Sequence, residues 1–129
     1  MARILVVEQR TRLRALVAQS LERRGHRVRR VRDAAAARDD AAAFAPDLLF
    51  APSGAGTDPE GLALARELRD AAPEMCCVLL RAPALSPLRR DALARQVDAV
   101  VDEPLCLDAL ATAVEAALAR RAEVHCGQG

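Results

Sequence analysis

The chain has 129 residues, enough for one domain with a real core and too few for two of ordinary size. Its formal net charge of +1 comes from near-equal numbers of acids and bases spread along the chain, which disfavours a nucleic-acid or membrane-surface footprint. Every basic side chain other than the two histidines is an arginine, and the only aromatics are Phe44 and Phe50, so lysine chemistry and base-stacking platforms are both excluded.

Arg3 to Val7 is a short β-branched apolar run that reads as a strand buried on both faces. Between Thr11 and Arg24, Leu13, Leu16, Val17 and Leu21 recur at helical spacing, and Gly25 supplies the stop. Arg27 to Val31 suits a charged edge strand, and Asp33 then caps an alanine-rich helix reaching about Phe44. Pro46 to Ala51 is the third strand, followed by a loop through Gly54-Ala55-Gly56. Thr57-Asp58-Pro59-Glu60 matches a capping box with proline in the first turn, opening a helix with Leu62, Leu64, Ala65 and Leu68 on its apolar face. Met75 to Leu80 is the fourth strand, Ser86-Pro87 opens a helix through Val97, Asp98 to Val101 is the last strand, and Leu107 to Arg121 is the last helix. The expected organisation is one domain over residues 1–121 and an unpatterned tail over 122–129.

Five strands alternating with five helices predict a three-layer α/β/α sandwich around a doubly wound parallel sheet. Its functional crevice lies beyond the carboxyl ends of the strands, near Glu8, Pro52, Arg81 and Glu103. No apolar run is long enough to span a bilayer and no signal-peptide core follows Met1, so a soluble, cytoplasmic domain is expected.

The order Ile4-Leu5-Val6-Val7-Glu8-Gln9, then Pro46-Asp47-Leu48-Leu49-Phe50-Ala51-Pro52, then Gly61-Leu62, then Glu103-Pro104-Leu105 resembles the receiver domains of response regulators over almost the full length. The resemblance implies a flavodoxin-like fold with strand order 2-1-3-4-5 and a role in two-component signal transduction or a phosphorelay. It also implies two acidic residues holding magnesium after the first strand and an aspartate accepting a phosphoryl group at the end of the third. A hydroxyl after the fourth strand and a lysine after the fifth complete that set. By position these fall on Glu8 and Gln9, Pro52, Arg81 and Glu103, so only Glu8 keeps the expected character. Magnesium would lack ligands, and proline offers no carboxylate nucleophile. The aromatic that reports phosphorylation corresponds to Val100. A degenerate site implies a pseudo-receiver with no catalytic residues, no metal and no cofactor, acting by binding a protein partner. Asp58, in a loop one residue longer than usual, and Asp47 are the alternative acceptors.

Arg81 is expected to pair with Glu103 in preference to Glu8, because the fourth strand adjoins the fifth at about 4.8 Å while the first lies about twice as far. The rival reading is an arginine clamp for a small anion, in a ligand-binding or enzymatic crevice at Glu8, Arg81 and Glu103. Cys76 beside Arg81 evokes small phosphatases, but the apolar strand after Cys76 points to core cysteines. Cys77, Cys106 and Cys126 likewise read as reduced, and neither His26 nor His125-Cys126 forms a metal site. Arg89, Arg90, Asp91 and Arg95 on the fourth helix, with Asp98, Asp102, Asp108 and Glu115 on or near the fifth strand and helix, mark either a docking and homodimer face or a solvated mixed-charge surface.

Overall fold

The computed structural model describes residues 1–55 and 59–128, with side chains up to Glu123 in the last helix. The elements alternate as β1 (Arg3–Val7), α1 (Thr11–Arg23), β2 (Arg27–Val31), α2 (Ala34–Phe44), β3 (Leu48–Pro52), α3 (Glu60–Ala71), β4 (Cys76–Leu80), α4 (Pro87–Ala94), β5 (Ala99–Val101) and α5 (Leu107–Gln128). All strands are parallel, in the order β2-β1-β3-β4-β5, which is the expected doubly wound sandwich.

Because successive strand side chains point to opposite faces, each apolar run supplies two cores at once. Leu5, Val7, Leu49, Ala51, Cys77 and Leu79 pack with Ala37, Leu62, Leu64 and Leu93, under α2, α3 and α4. Ile4, Val6, Leu48, Phe50, Cys76 and Val78 pack with Val17, Leu21, Leu110 and Val114, under α1 and α5. β2 is an edge strand with three exposed arginines, as the charge pattern required.

Local chemistry fixes three of the helix ends. Asp33 accepts from the Ala36 N–H at 2.9 Å and Ser86 from the Arg89 N–H at 3.3 Å, while Gly25 takes a positive φ of 93° after α1. Three ends differ from expectation. α3 starts at Glu60 with Pro59 as its N-cap and no side-chain cap; Thr57 and Asp58 of the supposed capping box lie outside the described residues. α4 stops at Ala94, short of Val97, because the chain must turn early to deliver Asp98 to the sheet. α5 continues to Gln128, through much of the segment expected to lack pattern, since Ala122, Glu123 and Val124 contain no helix breaker.

Gly61 lets the start of α3 lie directly on the end of β3: its N–H donates to the Ser53 carbonyl at 3.0 Å, and a Cβ there would meet the Pro52 carbonyl oxygen at 2.2 Å. Backbone must move to admit a methyl. Gly61→Ala should therefore destabilise the fold by about 1–3 kcal/mol, measured by denaturant midpoint at unchanged m-value.

Candidate functional site

The crevice at the carboxyl ends of the strands is organised by Glu8, which immediately follows β1 and is only 2% exposed. Its carboxylate accepts three hydrogen bonds from one residue: the Arg10 backbone N–H and Nε reach Oε2 at 2.8 and 3.2 Å, and Nη2 reaches Oε1 at 3.1 Å. The same Nη2 donates to Glu103 Oε1 at 2.6 Å, so one guanidinium joins the ends of β1 and β5. Hydrogen bonds to Glu8 and then Glu103 push the Arg10 guanidinium further above its already high range. Arg14 completes the arrangement by donating to the Glu8 carbonyl at 2.9 Å. Arg10 was not among the residues that sequence pattern singled out. The available signal was an arginine two positions after a strand-end glutamate, at the N-cap of α1, where it folds back over the carboxylate.

Arg81 does not pair with Glu103. Its backbone N–H holds the Val101 carbonyl at 2.7 Å, and its guanidinium curls onto the Leu85 carbonyl through Nε at 3.1 Å and Nη2 at 2.6 Å. Its carboxylate partner is Asp102, at 3.6 Å. The turn from Ala82 to Leu85 presents a carbonyl closer than any neighbouring strand end, and a planar donor satisfies it first. Pro52 ends β3 beside Leu80 and contributes no polar side-chain atom.

Ser53, next along and fully buried, was also missed by pattern reading. Its hydroxyl accepts from the Ala82 N–H and donates to the Gly54 carbonyl, both at 2.9 Å, tying the ends of β3 and β4 together. Nothing in its sequence context sets it apart from an ordinary loop serine.

Magnesium does not fit these residues. Both Glu8 oxygens are engaged by Arg10, Gln9 is an exposed amide, and Pro52 supplies no oxygen from its side chain. Of the alternative acceptors, Asp47 sits at the opposite end of the sheet, where it accepts from the Arg3 N–H at 2.8 Å. Asp58 lies outside the described residues.

The charged residues proposed for a docking face separate into two groups. Asp98 is a structural knot: it accepts from the Cys77 N–H and from Arg69 Nη2, both at 2.7 Å, with Arg121 at 3.7 Å. Arg90 grips Asp102 through Nε at 2.9 Å and Nη2 at 3.1 Å, which holds the Asp102 carboxyl below the usual carboxylate range, and it also donates to the Val100 carbonyl at 3.1 Å. Asp108 and Glu115 face Arg24 of the α1 end at 3.6 and 3.5 Å. The side chains of Arg89 and Arg95 are exposed and make no hydrogen bond or ion pair among the described residues, and Leu88, next to Arg89, is 80% exposed.

The cysteines behave as core residues. Burial pushes the Cys76 thiol up to about 11 and the Cys77 thiol up to about 12, away from the thiolate that nucleophilic chemistry needs. Cys76 also lies at the start of β4, with Arg81 beyond its other end. Cys106 is free and exposed, and the side chains of His125 and Cys126 lie outside those described. His26 is a structural residue: its Nδ1 accepts from the Ala2 N–H at 3.2 Å, and burial lowers its pKa.

A parallel doubly wound sheet in this order, with its polar residues gathered at the carboxyl ends, defines the class of the protein as flavodoxin-like. No protein-family model matches the chain, and no curated protein matches it in sequence. Solved structures do. NtrX from Brucella abortus, in complex with ADP, superposes with a TM-score of 0.82 at 29% identity over 96% of this chain; the chain spans 28% of the length of NtrX. A CheY-like receiver domain protein from Methanospirillum hungatei gives 0.80 at 21% identity, covering 95% of this chain and 98% of that one. A response regulator receiver domain protein from Clostridium thermocellum gives 0.79 at 18%, covering 96% and 99%. The chain has the fold of response regulator receiver domains.

The geometry predicts which charges are energetically linked. In double-mutant cycles read by denaturant unfolding, Arg81→Ala and Glu103→Ala should add to within about 0.5 kcal/mol, whereas Arg10→Ala and Glu103→Ala should couple by about 0.5–3 kcal/mol. The reverse pattern would restore Arg81 as the partner of Glu103.

Proposed function

We propose that this domain is a pseudo-receiver: a phosphorylation-independent protein-interaction module of bacterial signal transduction, and not an enzyme. The observation that carries the reading is the crevice itself, where the position of the phosphoryl acceptor is Pro52 and the one retained acidic residue, Glu8, is occupied by Arg10. A fold without its usual chemistry still presents surfaces for binding. The alternative of an anion-binding crevice loses its support because Arg81, its intended clamp, is spent on Leu85 and Asp102.

Incubation with acetyl phosphate and magnesium followed by intact-mass measurement tests the reading. No adduct is expected; a stoichiometric, base-labile phosphoryl adduct would overturn it, and its loss in Asp58→Asn would locate the acceptor in the loop before α3.

The face we assign to partners, or to a second copy of the chain, runs over α4, β5 and α5. Support comes from Leu88, an exposed apolar side chain, with Arg89 next to it on α4 and Arg95 at the helix C-cap, two cations whose side chains have no partner among the described residues. The acids nearby are already paired within the chain, so the partner surface should bring carboxylates of its own or offer Asp91. If the chain self-associates, Arg95→Glu should weaken the dimer by about tenfold, equivalent to about 1.4 kcal/mol, and alter its salt dependence in sedimentation. A monomer at every concentration would leave a heterologous partner as the occupant of this face.

A further inference from the structure

We propose that Arg10 is a tethered cation that takes the place of a diffusible metal ion between Glu8 and Glu103, making the conformation of the crevice independent of divalent cations. Two carboxylate oxygens from strand ends on either side of the crevice touch the same guanidinium nitrogen, at 3.1 and 2.6 Å. One of these carboxylates is almost wholly buried, and a buried carboxylate without a positive partner is costly. A buried charge is met either by an ion from solution or by a side chain. Here the side chain is supplied from two residues away, so the counter-charge arrives with the fold and cannot dissociate.

The arginine does three things that a free ion would do. It neutralises Glu8, it connects β1 to β5 across the crevice, and through its backbone N–H and Nε it fixes the rotamer of the Glu8 carboxylate. Its side chain is 57% exposed and approaches from the solvent side, over the crevice mouth. It is therefore a cap that can be removed without opening a hole in the hydrophobic core. A guanidinium stays charged throughout the physiological range, so the counter-charge does not depend on magnesium supply.

Taking the cation away leaves a buried and a partly exposed carboxylate that share the oxygen chemistry a hard divalent ion prefers. Arg10→Ala should thus convert the pair into a cation site. The inference deepens the proposed function and rests on the same reading of the crevice, in which Glu8 is occupied by Arg10. The two fail separately: a phosphoryl adduct would remove the function and leave the cation response standing.

The test is a thermal-unfolding comparison of the wild type, Arg10→Ala, Arg10→Gln and the double variant Arg10→Ala with Glu8→Gln, each with magnesium, manganese or calcium chloride and with sodium chloride at matched ionic strength. We expect the wild-type midpoint to be unmoved by the divalent salts. The midpoint of Arg10→Ala should be lower and should rise by several degrees with at least one divalent ion, a rise abolished by Glu8→Gln. Arg10→Gln, which keeps a shorter, uncharged amide donor, should respond in the same direction and serves as the readout if Arg10→Ala does not fold. The idea is overturned if neither single variant responds to any divalent ion, or if the wild type responds as strongly as they do.

Discussion

A carboxylate buried at the end of the first strand is the constraint from which the rest of the crevice follows. Parallel strands packed on both faces carry their side chains into a dry interior, and Glu8 sits at the point where the run of buried residues from Ile4 to Val7 meets the surface. Its backbone N–H is committed to the Val31 carbonyl at 3.1 Å, so the residue cannot swing away from the sheet. Burial without compensation would cost several kcal/mol, and the chain meets it with a donor array from Arg10 and a second arginine on the Glu8 carbonyl. Glu103 is drawn in by the same guanidinium, and the two outer parts of the crevice become one unit.

That unit explains how the crevice keeps its shape with proline at the end of β3. Pro52 needs no backbone donor at the strand terminus, and the next residue, Ser53, takes over the cross-strand work by donating its N–H to the Leu80 carbonyl at 2.8 Å and receiving Ala82 on its hydroxyl. Arg81 is absorbed by the turn that begins α4. Glu8, Ser53, Arg81 and Glu103 are thus all answered within the crevice, whereas Arg89 and Arg95 over α4 have no side-chain partner among the described residues.

The fold was legible because its signals are redundant. The apolar runs at Ile4–Val7, Leu48–Ala51 and Cys76–Leu80 admit only strands buried on two sides, and the helices between them carry periodic leucines with Asp33, Ser86 and Gly25 as punctuation. The failures fall where a single local cue stood alone. Thr57-Asp58-Pro59-Glu60 has the composition of a capping box, yet Pro59 occupies the N-cap, where no side-chain donor or acceptor is available. The apolar period of α5 fades at Arg121, yet the helix runs on to Gln128, because fading periodicity ends a buried face and not a helix.

The crevice was legible in position but not in pairing, and the reason is a matter of length scales. Strand order and spacing brought Glu8, Pro52, Arg81 and Glu103 to one end of the sheet, since backbone geometry fixes that to within a few ångströms. Pairing among arginines is decided by side chains that reach farther than the spacing between strands, so a Cα-level argument cannot rank their partners. Arg81 lay closest to Glu103 by strand order and still turned to a carbonyl four residues ahead, because that acceptor comes with its own turn and needs no crossing of the crevice. Arg10 looked remote from Glu103 in sequence, yet its position at the N-cap of α1 aims it back over the sheet. In a chain whose cations are all arginine, polar pairing at a strand end should be read from the helix and turn entrances that overlook it before it is read from the neighbouring strands.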